Sequence, residues 1–395
     1  LPKKKMRERP KWRSWIPTGR EFRFKVFSGL TATLPALAER FNAYATTLTV
    51  EDAADEILDE AVIETDVTLP DETVAAIGEH FALERKFHRE IARTGKVSWT
   101  LAAAKGLAVL GHTGTVVSPA RRAKVADRGT RNTMLWRRLV DRPIKGDCLP
   151  LLGLRKGHKH YYKFHAETAA QLVTFLRRDH RPGQSLKVLV RPDLTKYQRA
   201  FFAAVEKAHP GVEVVTVGDG ERALPERTLF YRYRINSLMR SPPTPEILGD
   251  IEALYRDEYG LGPARNEGRR IYISRRDVRL RSLANEPELL AELAKRGFEV
   301  ICPSDLSHRE QVELFSSADL VVATHGAALT NIMFMPPGSR VLEMFNGSHM
   351  ISPYIWMAAL KGVAHDFVVG SEGDGTERFE IDVAEVTRRL DRTDV

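Results

Sequence analysis

The chain has 395 residues, too many for one ordinary hydrophobic core, so two domains plus an appendage is the expected organisation. With 43% hydrophobic and 28% charged residues it reads as globular, and no apolar run approaches the roughly 18 residues of a membrane-spanning helix. The formal charge of +8 sits in residues 1–25, where ten cations face Glu8 and Glu21; the neutral remainder speaks against a nucleic-acid-binding body.

The opening LPKKKMRERPKW lacks the apolar stretch of a secretion signal, and a start at Leu1 leaves open what preceded it. Cations there interleave with Trp12, Trp15, Phe22, Phe24 and Phe27. Such an arm is either a solvated terminus or a peripheral contact with anionic lipid, at about 1 kcal/mol per cation near the surface. The second alternative puts a cytoplasmic chain at the inner membrane face. Cys148 and Cys302 are too far apart in sequence to suggest a disulfide framework or a metal knuckle, which points to a reducing compartment.

Residues 30–95, with acidic stretches such as EDAADEILDE, read as mainly helical. LAVLGHTGTVV (107–117) has two apolar runs around a glycine-bearing turn, a hairpin signature. An alternation follows: CLPLLG as strand, HYYKFHAETAAQLVTFLRR as helix, LKVLVRP as strand, KYQRAFFAAVEKA as helix, VEVVTVG as strand. After the Gly/Pro-rich YGLGPARNEG (259–268) a second alternation begins. Strands RRIYISR, FEVICP, DLVVATHG, RVLEMF and VAHDFVV are separated by helices EPELLAELAKRG, REQVELFSSA, AALTNIMFM and PYIWMAALKG. Helices between strands imply parallel pairing and right-handed crossovers. The expected fold class is α/β, with two doubly wound, Rossmann-like domains facing a cleft. The expected boundaries are 1–100 for a basic and helical extension, 101–258 and 259–378 for the two α/β domains, and 379–395 for a C-terminal helix. The linker at 260–268 would be the hinge on which the cleft closes.

In open parallel sheets ligands bind beyond the carboxyl ends of strands, where helix N-termini present unpaired N–H groups. VVATHGAALTN places such a junction at His325-Gly326-Ala327-Ala328: the glycine would permit an unusual backbone angle, the alanines would let an anion approach the amides, and His325 could donate a hydrogen bond or a proton. Ser274-Arg275-Arg276 closes another strand, and an arginine there can fork onto phosphate oxygens. Glu343 ends RVLE, where a carboxylate can take two sugar hydroxyls. Together these describe a nucleotide-diphosphate site. No G-x-G-x-x-G, no G-x-x-x-x-G-K-[ST] and no D-x-D occurs, so NTP hydrolysis and a metal clamped between two aspartates are disfavoured. Positive side chains and amides would then neutralise the leaving group.

The stretches YISRRDVRLRSLANEPELLAELAKRGFEV (272–300) and REQVELFSSADLVVATHGAALTNIMFMPPGSRVLE (309–343) resemble glycosyltransferase family 61. The family pattern falls on Ser274, Arg275, Arg281, Asn285, Glu286, Glu310, Gln311, His325, Gly326, Ala327, Leu329, Thr330, Asn331, Pro337, Gly338 and Glu343. Ala328 stands where the family usually has glycine. In HYYKFHAE (160–167), Lys163 replaces a family histidine, which weakens the likeness on the acceptor side.

The resemblance implies a GT-B architecture, a nucleotide-sugar donor of UDP type, inversion at the anomeric carbon, and no metal or other cofactor. Bacterial members are associated with capsule and other surface polysaccharides. Donor contacts would come from Ser274, Arg275, Arg281, Asn285, Glu310, Gln311, Gly326, Ala327, Asn331 and Glu343, with His325 at the reacting end. Several have a structural alternative: His325 as a satisfied core histidine, Arg275 in a surface ion pair, Asn285 as a helix cap, Glu310 and Gln311 as first-turn residues, Glu343 paired with an arginine across the sheet. The base that deprotonates the acceptor hydroxyl, a glycan or a lipid-linked glycan, would be Glu167, His165 or Asp193. A zinc at His158, His160 and His165 is disfavoured, because on one helix His160 and His165 point about 140° apart. Two rivals stay open, a nucleotide-sugar epimerase or phosphorylase on the same fold, and a non-catalytic glycan-binding scaffold.

Overall fold

The computed structural model describes residues 46–64, 96–121, 123–125, 139–152, 159–235, 244–278, 281–348, 350–372 and 378–391, with Leu69, Asp71, Thr73, Ala75 and Glu79 besides. The basic arm 1–25, His158 and most of the segment expected to be helical lie outside these residues. No described helix is long and apolar enough to cross a membrane.

The first half is built on a mixed sheet of ten strands. They are β1 (Thr46–Leu48), β2 (Glu56–Glu64), β3 (Lys96–Ala104), β4 (Ala108–Leu110), β5 (Thr115–Ser118), β6 (Ala123–Val125), β7 (Val140–Pro150), β8 (Leu186–Val190), β9 (Val212–Thr216) and β10 (Glu221–Ile235). The expected hairpin is present, Ala108 opposite Val117 and Leu110 opposite Thr115. The alternation after residue 147 gives parallel pairing of β7, β8 and β9. A turn at Tyr161–Lys163, a π-helical stretch Phe164–Ala169, α1 (Ala170–Arg178) and α2 (Lys196–Ala208) make the crossovers.

Two expectations change here. EILDEAVIE is strand β2, although its Glu, Leu and Ala favour a helix; pairing along β3 overrides local propensity. The half is also not doubly wound throughout, because β10 runs parallel to β7 but antiparallel to β3 and β4. Pro225 makes β10 hard to recognise in sequence, and the chain accommodates it with a register shift between Pro225 and Arg227.

The second half matches its expected elements closely. Strands β11 (Arg269–Ile273), β12 (Glu299–Ile301), β13 (Ala318–Thr324), β14 (Arg340–Phe345) and β15 (Ala364–Val369) form a wholly parallel sheet in the order β12-β11-β13-β14-β15. Following α3 (Pro245–Tyr259), the helices are α4 (Glu286–Ala294), α5 (His308–Ser316), α6 (Pro353–Lys361) and α7 (Val383–Leu390). One element differs in type. AALTNIMFM forms a 3-10 helix over Ala327–Phe334, with Leu329 to Phe334 all buried.

A single hydrophobic core runs from the first sheet to the second. It includes Leu149 and Val188, then Leu248, Ile251 and Tyr255 of α3, then Ile271, Val321 and Met333. Gly260, left-handed at φ 64°, ends α3. Before that stop, α3 is fastened to the second half: Arg256 donates to Ser316 Oγ at 2.9 Å and to the Phe334 carbonyl at 3.3 Å, and its neighbour Glu252 pairs with Lys361. Within the expected hinge, the amides of Arg265 and Glu267 donate to the Ser316 and Ser317 carbonyls.

Candidate active site

Numbered within their own sheet, the strands of the second half follow the order 2-1-3-4-5. Crossovers leave in opposite directions from the first and third strands, β11 and β13, and the crevice between their carboxyl ends is where such sheets bind ligands. β11 delivers Ser274 and Arg275 to that crevice, and β13 delivers His325 and Gly326. Arg276 turns outward instead and pairs with Asp305 at the surface.

Gly326 has φ 176° and ψ 169°, an extended conformation open to any residue, so the expected backbone reason for glycine does not hold. The reason is space. A Cβ at position 326 would collide with Nη1 of Arg275, so the guanidinium lies directly against the turn. Ala327 and Ala328 open the 3-10 helix, whose first amides lack intrahelical partners.

His325 is buried at 3% exposure, its ring stacked on Phe345 at 5.1 Å and tilted against Tyr354 at 5.2 Å. Its Nδ1 lies 2.5 Å from Oε1 of Glu343, and the other oxygen of that carboxylate is 2.9 Å from Nε2 of His365. Glu343 has no exposed surface and both of its oxygens are engaged. The expectation that it takes sugar hydroxyls is therefore replaced by a role beneath the site, close to the ion-pair alternative. Burial works to raise its carboxyl, but the neighbouring imidazoles of His325 and His365 outweigh it and hold the group below the usual carboxylate range. Burial, and after it the charge of the same carboxylate, drives the Tyr354 hydroxyl up.

Other expected donor residues divide. Arg281 adopts φ 59°, rare for a residue with a side chain, and its charge, secondary to burial, works to lower the pKa of both Tyr354 and His160. Ser274 and Tyr272 both donate to Oε1 of Glu286 at 2.8 Å, tying β11 to the start of α4. Asn285 does not cap α4 with its side chain. It pins residue 381 instead, donating to the Ile381 carbonyl at 2.8 Å and accepting from its amide at 3.1 Å. Glu310 closes a capping box with Ser307 at the exposed start of α5, as its structural alternative proposed. Gln311 and Asn331 bond each other at 3.1 Å, and the buried Asn331 also accepts from the Tyr161 hydroxyl at 2.5 Å. It is the Tyr161–Asn331 bond that joins the two halves.

Of the three base candidates, His165 is corrected. It is fully buried, with Nδ1 donating to the Tyr161 carbonyl at 2.8 Å and Nε2 taking the Tyr255 hydroxyl at 2.8 Å. Burial lowers its pKa to about 4. It packs near His308, whose two nitrogens meet the Tyr161 and Tyr259 hydroxyls at 2.8 and 2.7 Å, and whose pKa burial lowers to about 3. Asp193 is held by Lys159 at 2.9 Å and by the buried Arg191 at 3.1 Å. Glu167 is exposed on the π-helical stretch.

Residues 149–342, from the end of β7 to the middle of β14, match the family model described as Glycosyltransferase 61. The chain carries a glycosyltransferase 61 domain. Over 96 residues it is 35% identical to Protein O-linked-mannose beta-1,4-N-acetylglucosaminyltransferase 2 of Mus musculus, covering 22% of this chain and 16% of that protein. Over 115 residues it is 30% identical to EGF domain-specific O-linked N-acetylglucosamine transferase of Drosophila melanogaster, covering 28% and 22%. The matched part is thus under a quarter of each relative's length.

The glycosyltransferase 61 match contains Arg275, Arg281 and His325, and stops one residue before Glu343. Tyr354 and His365, which complete the surroundings of His325, follow it. Sequence reasoning missed both. A histidine inside the otherwise strand-like VAHDFVV was the available signal for His365, but only the register of β15 on β14 reveals its neighbour.

Proposed function

We propose that this chain transfers a sugar from a nucleotide-diphosphate donor of UDP type to a glycan or lipid-linked acceptor, with inversion and without a metal ion. The observation that carries the reading is the junction of Arg275, Gly326 and His325 at the switch point of the parallel sheet. A guanidinium seated on a side-chain-free turn, beside helix-start amides, suits a diphosphate whose charge must be neutralised as it leaves. Arg281 adds a second cation from the same loop. A GT-B arrangement would bring the acceptor from the first half, with the base on that side.

Once His165 is assigned to the core and Asp193 to its ion pairs, Glu167 is the carboxylate to test first. Both relatives are named for N-acetylglucosamine, so a donor panel begins with its nucleotide form. Their names also bring O-linked glycans forward as acceptors, beside the surface polysaccharides expected from the resemblance. A cytoplasmic location, with the basic arm on anionic lipid, is part of the same proposal.

The deciding experiment is calorimetry of the chain and of R275A with UDP and UDP-sugars, followed by transfer assays with and without EDTA. Binding that R275A weakens at least tenfold supports the reading. Conversion of donor without acceptor would instead favour the epimerase or phosphorylase, and absence of all nucleotide binding the scaffold.

A further inference from the structure

His325, Glu343 and His365 step diagonally across three adjacent parallel strands. Glu343 stands opposite Ala323, two residues before His325, and opposite Phe367, two residues after His365. Spacings of two keep all three side chains on one face of the sheet. The side chains are 4%, 0% and 4% exposed. A carboxylate in such a place is strongly destabilising unless its oxygens receive hydrogen bonds, and here each receives one.

An ionised carboxylate only accepts. Both ring nitrogens facing Glu343 must therefore carry hydrogen: Nδ1 of His325 and Nε2 of His365. The remaining ring nitrogen of His365, Nδ1, is buried and has no hydrogen-bond partner among the described residues, which suits a lone pair better than an N–H. For His325 the consequence is a fixed tautomer, Nδ1–H toward Glu343 and Nε2 on the opposite ring edge. Phe345 and Tyr354 pack against that ring.

We propose that His365 is a positioning residue for His325: its Nε2–H holds Glu343 ionised and oriented, so that Glu343 fixes which nitrogen of His325 bears the proton. Without that donor, Oε2 is left buried and unbonded. The carboxyl then turns or takes up a proton, and can donate to His325 Nδ1, which moves the imidazole proton to Nε2. The inference rests on the reading of this crevice as the transfer site only for its catalytic consequence; the tautomer itself does not depend on it.

The test uses the full chain labelled with 15N-histidine, His325 being identified by the signals missing in H325Q. Wild type and H365Q, whose amide reaches the place of Nε2, are expected to show His325 protonated at Nδ1. H365L and H365N, which present no donor there, are expected to move the proton to Nε2; should H365L fail to fold, H365N against H365Q carries the comparison. In transfer assays kcat of H365N falls about tenfold with donor KM within about twofold, and H365Q returns to within about threefold of wild type. A His325 still protonated at Nδ1 in H365N would overturn the proposal. Because the spectra report the proton whether or not sugar is transferred, an inactive wild type would count against the transferase reading alone.

Discussion

The guanidinium of Arg275 occupies the volume that a side chain at position 326 would need. Since Gly326 is extended at φ 176°, alanine there carries no backbone penalty and acts only by displacing Arg275. G326A is expected to fold with stability within about 1 kcal/mol of wild type and to lose at least tenfold in donor affinity by calorimetry. In R275A/G326A the two losses should not add, because both remove one contact. Additive losses would place Arg275 and the turn on separate parts of the ligand.

Tyr161 and Asn331 meet across the two halves, and the same hydroxyl takes Nε2–H of His308. Y161F removes the donor to Asn331 and the acceptor of His308 while keeping the ring. Two buried groups lose a partner, which costs about 2–3 kcal/mol in urea unfolding, with donor affinity unchanged. An equal loss of donor affinity would return Asn331 to the ligand.

The parallel half was legible because its strands are short apolar runs bounded by turn signals and its helices carry ordinary starts and stops, as at Gly260 and Gly362. The order of those strands, and with it the switch point between Arg275 and His325, does not follow from the alternation, because doubly wound sheets occur in more than one order; the pairing in the structure supplies it. The mixed sheet was legible only in its hairpin and in the parallel run of β7, β8 and β9. β10 hides behind Pro225, and β2 carries helix-favouring residues that only β3 converts to strand. Within the site, a motif names the residues of one strand end but not how neighbouring strands are aligned. Gly326 was recognised for the wrong physical reason, and Glu343 was given a ligand's role because its two histidine partners come from separate strands.

Glu310 sits in the family pattern, yet its carboxylate is taken by the Ser307 amide at 2.7 Å. E310A should lower stability only slightly, through loss of the capping box, and leave donor affinity and kcat within about twofold. A tenfold loss of affinity in a folded E310A would mean the carboxylate leaves the cap to meet the ligand.

His165 and His308 set the response of the fold to acid. Their pKa values in the folded chain lie at about 4 and about 3, driven down chiefly by burial, against 6.5 for a free imidazole. A depressed folded pKa means that the unfolded chain binds the proton first. The stability each group contributes is therefore complete above 6.5 and is lost as pH falls from there toward 4 for His165 and 3 for His308. Glu343, also held below its ordinary range, adds a loss of the same sign only once pH falls below 4.5. Urea unfolding should thus weaken as pH falls from 6.5 to 5, each of the two imidazoles contributing a slope that approaches about 1.4 kcal/mol per pH unit, with His160 and His209, also held below 6.5, adding a loss of the same sign. H308Q, which keeps a donor for Tyr161 but cannot titrate, should remove one such increment from that slope. The same slope in H308Q as in wild type would show that His308 is not the group being charged on unfolding.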